Sequence, residues 1–478
     1  MAWAESVSGP LRCRQQILCV TSRRGRFHNN NDNRTVIDAA AEKAVYRRID
    51  LRIVPVIMIA YVLAFLDRIN VGYAQLQMKQ SLGFSDAVYG IGAGIFFISY
   101  LLCELPSNLW MQKVGARLTF LRIMVLWGLT SAATMLVAEP WQFYTVRLLL
   151  GVFEAGFFPG VILYLTWWYP SHRRGRVTGL FLFGIPVTGV LGGPLSGAIL
   201  SGMDGVYGYA GWQWLFVLEG LPTALFGLVI YRLLSDRPAD APWLSASEKV
   251  LVQTVLDRDR ALTGSESASA PAHGQDHGRA SAIAALRDPR TYVMGGIYFC
   301  CACSVYTFTF WLPSLIKALD VGSLGAVGLW SALPFAAGGL GILLVSWSSD
   351  HFLERRWHVA TTLFLGTSAL YATTLVGGAF WPTMLLLCVA AFFSFSCIVF
   401  WAIPPTYLSR EAAAAGIAVI SSIGILGGFV SPSIIGWMKT ATGSLDAGLL
   451  LMAGISITGG LATLLLVPAR AVRALRTV

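Results

Sequence analysis

Charge is what this sequence has least of. Only 13% of its 478 residues are Asp, Glu, Lys or Arg, against roughly 25% in a soluble globular protein. A water-facing surface needs those charges for solubility, whereas a lipid-facing one does not, so a large soluble body is excluded. The eight cysteines show no metal-ligand spacing and no disulfide framework. Cys300, Cys301 and Cys303 fall inside an apolar run, where small weakly polar residues commonly pack. No catalytic grouping of His, Cys and Asp occurs, because His172, His351 and His358 fall in loops or at a helix end. The expectation is therefore a protein that is not an enzyme and holds no metal or other cofactor. A signal-peptide core is also lacking, since Ile17-Leu18-Cys19-Val20 is too short.

What is plentiful is apolar. Hydrophobic residues make up 55% of the chain and its mean hydropathy is +0.63. The 49 glycines exceed the average of about 7% and suit closely packed membrane helices. A formal net charge of +10 and a pI near 9.3 would fit nucleic-acid binding. The basic residues, however, sit in short loops between apolar runs, which argues against a nucleic-acid partner and for a lipid bilayer.

A membrane-spanning helix needs about 20 mostly apolar residues. Such runs occupy 52–72, 88–110, 118–137, 142–166, 176–200 and 212–233, then 291–315, 325–347, 358–378, 382–407, 412–437 and 445–468. The expected fold is an all-α membrane protein of twelve transmembrane helices in two six-helix bundles. The expected boundaries are a disordered cytoplasmic extension at 1–44, bundles at 45–233 and 291–470, a cytoplasmic linker at 234–290 and a tail at 471–478. Within the linker, Ser245 with Glu248 reads as a capped short helix.

Lys and Arg in the short loops set orientation. One side receives Arg47, Arg48, Arg52, Lys113, Arg117, Arg173, Arg174 and Arg176, then Arg355, Arg356, Arg410, Arg470, Arg473 and Arg476. The other receives only Lys79, Lys317 and Lys439. Both termini and the linker are thus expected in the cytoplasm, in agreement with an even helix count, which requires the termini to share a side. Gly189–Gly193 in the fifth run matches Gly424–Gly428 in the eleventh, the kind of internal repeat found in secondary transporters.

Ionisable groups inside apolar runs are costly unless paired or water-lined. The first half carries Asp67, Arg68, Glu104, Arg122, Arg147, Glu154 and Glu219. The second half has none well inside its runs. Proton and anion chemistry is therefore expected in the first half. The second would supply neutral contacts from among Tyr298, Tyr306, Trp311, Tyr371, Ser394, Trp401, Tyr407 and Ser421. Arg68 is the best ligand for a carboxylate, since its planar fork stays charged in any environment; alternatively it neutralises Asp67 or Glu154. Asp67 and Glu154 are the proton candidates. Burial favours the neutral form of a carboxyl and a neighbouring arginine the charged form, so a group held between the two can change state. Arg147 and Glu154 lie two turns apart on one helix face, which makes Arg147 a structural or gating partner of Glu154. Glu104 reads either as a gating bridge to a loop arginine or as a packed structural group. Glu219 reads as structural more readily than as a transport residue. Asp350 with Arg355 and Arg356 is placed to lock the inner end of the eighth helix.

These residues have a family pattern. Asp67-Arg68-Ile69-Asn70-Val71-Gly72-Tyr73-Ala74 resembles the first-helix signature of the anion:cation symporter family of the major facilitator superfamily. Glu104-Leu105-Pro106-Ser107-Asn108, the stretch Arg147 to Gly160, and Phe216 to Pro222 resemble its second-, fourth- and sixth-helix motifs. The resemblance runs from about Val45 to Arg470. It implies a monomeric bacterial inner-membrane permease that takes up a small organic anion with a proton by alternating access. It also implies proton coupling and carboxylate recognition at the positions of Asp67, Arg68 and Glu154. The loop after the second helix departs from the superfamily pattern, with Gln112 where an Asp usually stands, while Asp350 fills the comparable place in the second half. The expected substrate contacts are Arg68, Tyr73, Tyr298, Tyr306 and Trp401. A uniporter, an exchanger or a symporter using another ion stays open, as do aromatic acids, hydroxy-dicarboxylates and sugar acids as the cargo.

Overall fold

A computed structural model of the chain describes residues 39–263, 285–408 and 413–469. The extension up to residue 38, linker residues 264–284, Arg410, Arg470, Arg473, Arg476 and the tail 471–478 lie outside these. The described residues are helical almost throughout. The long helices are α1 (Ala39–Ser81), α2 (Asp86–Val114), α3 (Ala116–Ala133), α4 (Pro140–Trp168), α5 (Ser171–Gly202) and α6 (Gly211–Leu233). After the linker helix Ala246–Thr263 come α7 (Pro289–Lys317), α8 (Leu324–Phe352), α9 (Arg356–Ala372), α10 (Phe380–Ala402), α11 (Ala413–Thr442) and α12 (Asp446–Leu466).

Eleven of these are long and apolar enough to cross a bilayer. The exception is α9, expected over 358–378. Its α-helical part is 17 residues and passes into a 3-10 turn at Thr373–Leu375, which shortens the regular span. Helix α1 begins at Ala39, within the stretch expected to be disordered, and Glu42 there pairs with Arg173 at 2.9 Å. Helix α4 is not continuous as expected. It stops at Glu154 and resumes at Phe157, because Gly156 takes the left-handed conformation at φ 88°. That value is open to glycine at no steric cost, and a Cβ there would lie 2.5 Å from Ser107 Oγ.

Helices α1–α6 pack mainly on one another, as do α7–α12, and the two groups meet along α5–α8, α2–α11 and α1–α7. These seams are closed by small residues. A Cβ on Gly193 of α5 would sit 2.7 Å from the Gly328 carbonyl oxygen of α8, and one on Gly94 of α2 would sit 2.7 Å from the Phe429 carbonyl oxygen of α11. Such contacts let backbones approach within dispersion range where no hydrophobic force joins helices in lipid. Polar bonds between the halves cluster at the end carrying loops 82–85, 318–323 and 443–445. Gln75 Nε2 and Tyr89 Oη donate to the Phe310 carbonyl at 3.0 and 3.1 Å, and Lys439 reaches Asp86 at 3.3 Å, where Lys79 also pairs. This end of the protein is shut. Gly328→Leu is expected to hold α5 and α8 apart and to abolish uptake into proteoliposomes. The purified variant should keep its helical circular dichroism.

At the opposite end the linker docks on the first half. Ser245 and Glu248 form the expected capping pair, with Ser245 N–H donating to Glu248 Oε2 at 2.9 Å and Glu248 N–H to Ser245 Oγ at 3.3 Å. Glu248 also meets Arg48 at 2.8 Å, and Trp243 stacks on Trp168 with ring centroids 5.6 Å apart. The backbone N–H and the hydroxyl of Ser171 both donate to Asp259. The bond from Ser245 N–H, then its hydroxyl and Arg48, hold the Glu248 carboxyl below the ordinary range. Burial pushes Asp259 up, but the two Ser171 donors and the charge of Arg174 outweigh it and leave this carboxyl depressed too. Both therefore favour docking above their unfolded values and lose that contribution as pH falls through the depressed ones. Loss of amide protection over 246–263 at acid pH, relative to the intrinsic exchange rate at each pH and with the spans unchanged, is the expected result.

Candidate functional site

Neighbouring residues on a helix point about 100° apart, and α1 uses this to send Asp67 and Arg68 to different partners. Asp67 turns into its own half. It is 3% exposed and accepts from Trp127 Nε1 at 2.6 Å, from Asn70 Nδ2 at 3.1 Å and from the Ser131 hydroxyl. The donors come from α3 and from the next turn of α1, so Asp67 sits in a cage of hydrogen bonds and is not paired with Arg68. Replacing Trp127 by Phe is expected to remove one of these three donors and to change the pH dependence of uptake without loss of the fold. Uptake followed across a pH series would measure it.

Arg68 faces the other way and forms an ion pair with Glu154 of α4, whose side chain is 2% exposed. Because α4 stops there, Glu154 occupies the last turn before the break. The Arg68 guanidinium lies 5.3 Å from the ring centre of Phe96 and 5.6 Å from that of Tyr100. Tyr61, Tyr100 and, from the second half, Tyr306 surround the pair. Nη2 of Arg68 serves Glu154, while its Nε is buried without a hydrogen-bond partner among the described residues. A guanidinium with a donor to spare, held among aromatic rings where the two halves face, can take a carboxylate in two-point fashion.

The other expected residues divide. Tyr306 is brought to the pair, its ring edge-on to Phe97 at 4.5 Å. Tyr298 and Trp401 meet each other at 4.6 Å, and Tyr298 stacks on Phe400 at 5.3 Å. They lie two turns of α7 from Tyr306, toward the end that carries the linker. Tyr73 is not brought to Arg68. It is 1% exposed, and its hydroxyl would lie 2.8 Å from a Cβ on Gly193, which places it in the α5–α8 seam. The ion pair expected between Arg147 and Glu154 is not formed. Arg147 donates to the carbonyls of Gly92 at 3.2 Å and Ala93 at 3.5 Å and lies 5.2 Å from the Phe96 ring centre, so backbone oxygens of α2 satisfy it. Glu104 makes no ion pair among the described residues; its carbonyl accepts from Asn108 at 2.9 Å. Asp350 pairs with Arg355, five residues on, whereas Arg356 turns to the Leu464 carbonyl. That joins α8 to the start of α9, within one half.

Sequence reasoning missed Trp127, Ser131, Tyr61 and Tyr100. Only Tyr61 had a signal, seven residues before Arg68 on the same helical face. It also missed Asp236, which follows α6 and accepts from Arg117 N–H at 2.9 Å. A Cβ on Gly115 would strike this carboxylate. An acidic group thus does reach the loop after α2, supplied from the linker.

The helical architecture, with its buried charges in one half, has a counterpart in the sequence as a whole. Residues 57–432 match the model of the Major Facilitator Superfamily. The chain belongs to this superfamily. It is a multi-pass transporter of the plasma membrane and not an enzyme. It is 43% identical over 425 residues to a putative tartrate transporter of Agrobacterium vitis, covering 89% of this chain and 95% of that one. It is 41% identical over 416 residues to the putative metabolite transport protein NicT of Pseudomonas putida, covering 87% and 92%. Among solved structures, a bacterial homologue of the human lysosomal transporter Spinster, in an inward-facing unoccupied conformation, superposes with a TM-score of 0.66 at 16% identity. That match covers 91% of this chain and 97% of the other and concerns the fold. As a superfamily member the chain works as a secondary transporter by alternating access.

Proposed function

We propose that this transporter imports a small organic anion together with a proton, and that Arg68 and Glu154 couple the two. The observation that carries the reading is the pairing of part-buried Arg68 with buried Glu154, with Arg68 Nε left over. An incoming carboxylate becomes the counter-ion of Arg68 and displaces Glu154. A displaced buried carboxylate cannot stay charged without a partner, because removing one member of such a pair costs about 3–5 kcal/mol. Glu154 therefore takes up a proton as the anion binds, and the loaded site keeps the net charge of the empty one. Asp67, held by three donors beside this pair, is a second station for the proton, and the two titrations are coupled. Tyr306 with Tyr298 and Trp401 forms the second half's side of the passage. The curated relatives named for tartrate and metabolite transport support an organic acid as cargo.

The same reading takes the protein as a monomer with twelve spans in two bundles of six, both termini in the cytoplasm. The shut end, with its few lysines, then faces outward. Substrate flux into reconstituted vesicles, with and without an imposed proton gradient, tests this against a uniporter, an exchanger or a symporter of another ion. Accumulation that requires the proton gradient is expected. Equal flux in both conditions would refute proton coupling.

A further inference from the structure

Glu219 takes no part in the scheme above, yet it is as deeply buried as Glu154, at 2% exposure. Its Oε1 accepts from Ser196 Oγ of α5 at 3.1 Å, and its Oε2 is buried with no partner. From α1, the Asn70 side chain and the Asp67 carboxylate face it, with Tyr73 one turn further on. From α3, Gly128, Ser131 and Ala132 close over the adjoining Gly220. No lysine or arginine pairs with Glu219 among the described residues, because Arg68 is taken by Glu154 and Arg147 by the α2 carbonyls.

The hydrogen count at this cluster does not close with both carboxyls ionised. Asp67 receives three donors, one of them Asn70 Nδ2. Asn70 Oδ1 and Glu219 Oε2 are both acceptors, both buried and both without a donor. A buried acceptor left unmatched is costly, and a buried charge without a counter-ion far more so. A single hydrogen on Glu219 neutralises the carboxyl that has no cation and makes its unpaired oxygen a donor toward the Asn70 side chain that faces it. Asp67, with three donors, is the group fitted to keep the charge.

We propose that Glu219 is a proton-binding site of this transporter, occupied in the arrangement seen here, and that it forms with Asn70 and Asp67 a buried unit holding one proton between two carboxyl groups. The position of the unit gives it a role. Ser196 lies on α5 between Gly193 and Gly197, the two glycines that close on Gly328 of α8, and the Tyr73 hydroxyl lies in the same seam. When the halves part along this seam, water reaches the Glu219 side of the unit and its proton can leave. Release is thereby tied to opening of the shut end, which rests on the proton-symport reading; the resting protonation does not.

Infrared absorption of the purified protein at neutral pH, in light and heavy water, tests the proposal. The expected spectrum has a protonated-carboxyl C=O band that shifts on deuteration, is lost in Glu219→Gln and is kept in Asp67→Asn. In Ser196→Ala, which removes the donor to Oε1, the band should move in frequency. A band untouched by both Glu219→Gln and Ser196→Ala, or one removed by Asp67→Asn instead, overturns the proposal. Should Glu219→Gln fail to fold, the Ser196→Ala shift alone decides. Proton-driven uptake measured on the same preparations reports on the symport reading separately: a Glu219 band with no such uptake would refute symport and uphold the site.

Discussion

Arg68→Ala is expected to abolish saturable uptake, and Arg68→Lys to leave only a small remnant. The argument rests on what the guanidinium does at once. It holds Glu154 through Nη2 and keeps Nε unpaired among Phe96, Tyr100 and Tyr306. Alanine removes the cation that any anionic cargo needs in this half, and the second half has no buried replacement among its described spans. It also strands Glu154, at a cost of about 3–5 kcal/mol, so lower stability is expected beside the lost transport. Lysine keeps the charge, but as a point on a flexible stem it cannot present the planar fork. A loss of about 3 kcal/mol corresponds to more than about a hundredfold in affinity. The double variant Arg68→Ala with Glu154→Gln removes both charges together and is expected to fold better than Arg68→Ala while remaining inactive. That comparison, by thermal unfolding and uptake, separates a binding role from a structural one. Near-normal uptake by Arg68→Ala would remove the role assigned to this residue.

The extent to which the sequence announced this site differs from residue to residue. The apolar runs needed only their composition, and eleven of the twelve correspond to described helices long and apolar enough to cross a bilayer, which leaves a backbone few other ways to be satisfied. The limits were set by local chemistry. Helix α9 loses its regular last turn to a 3-10 segment, which run length does not register. Spacing placed Arg147 and Glu154 on one face, and that geometry is sound within a continuous helix. It failed because the Gly92 and Ala93 carbonyls take Arg147 and because Arg68 takes Glu154. Gly156 was visible only as part of the fourth-helix motif, and nothing in its neighbours says that its φ is positive or that the helix breaks there. Adjacent Asp67 and Arg68 had to point apart; which one would face its own half depends on where Trp127 and Ser131 stand. Tyr73 belonged to the motif yet serves the α5–α8 seam. Motifs reveal that a residue matters more readily than what it touches.

Glu154→Gln is expected to separate substrate movement from proton movement. Glutamine has the shape of the protonated acid, and its side-chain oxygen can still accept from Arg68, though without charge. The pairing that opposes anion binding is thereby weakened, and the site stands permanently in the form that the anion otherwise has to induce. Exchange of labelled for unlabelled substrate across the vesicle membrane needs only that Arg68 bind and the seams rock, so it should persist and lose most of its pH dependence. Accumulation driven by a proton gradient needs a group that takes and gives a proton in each cycle, and it should fall to the level of passive equilibration. Neither Asp67 nor Glu219 rescues it: Trp127, Ser131 and Asn70 keep their hold on Asp67, and Ser196 its hold on Glu219, whether or not cargo is bound, so a proton there is not taken up in exchange for the anion. Unchanged accumulation in Glu154→Gln would place the coupling proton elsewhere. The Arg68–Glu154 pair would then be a fixed counter-charge, and the cargo would have to reach Arg68 without dislodging it.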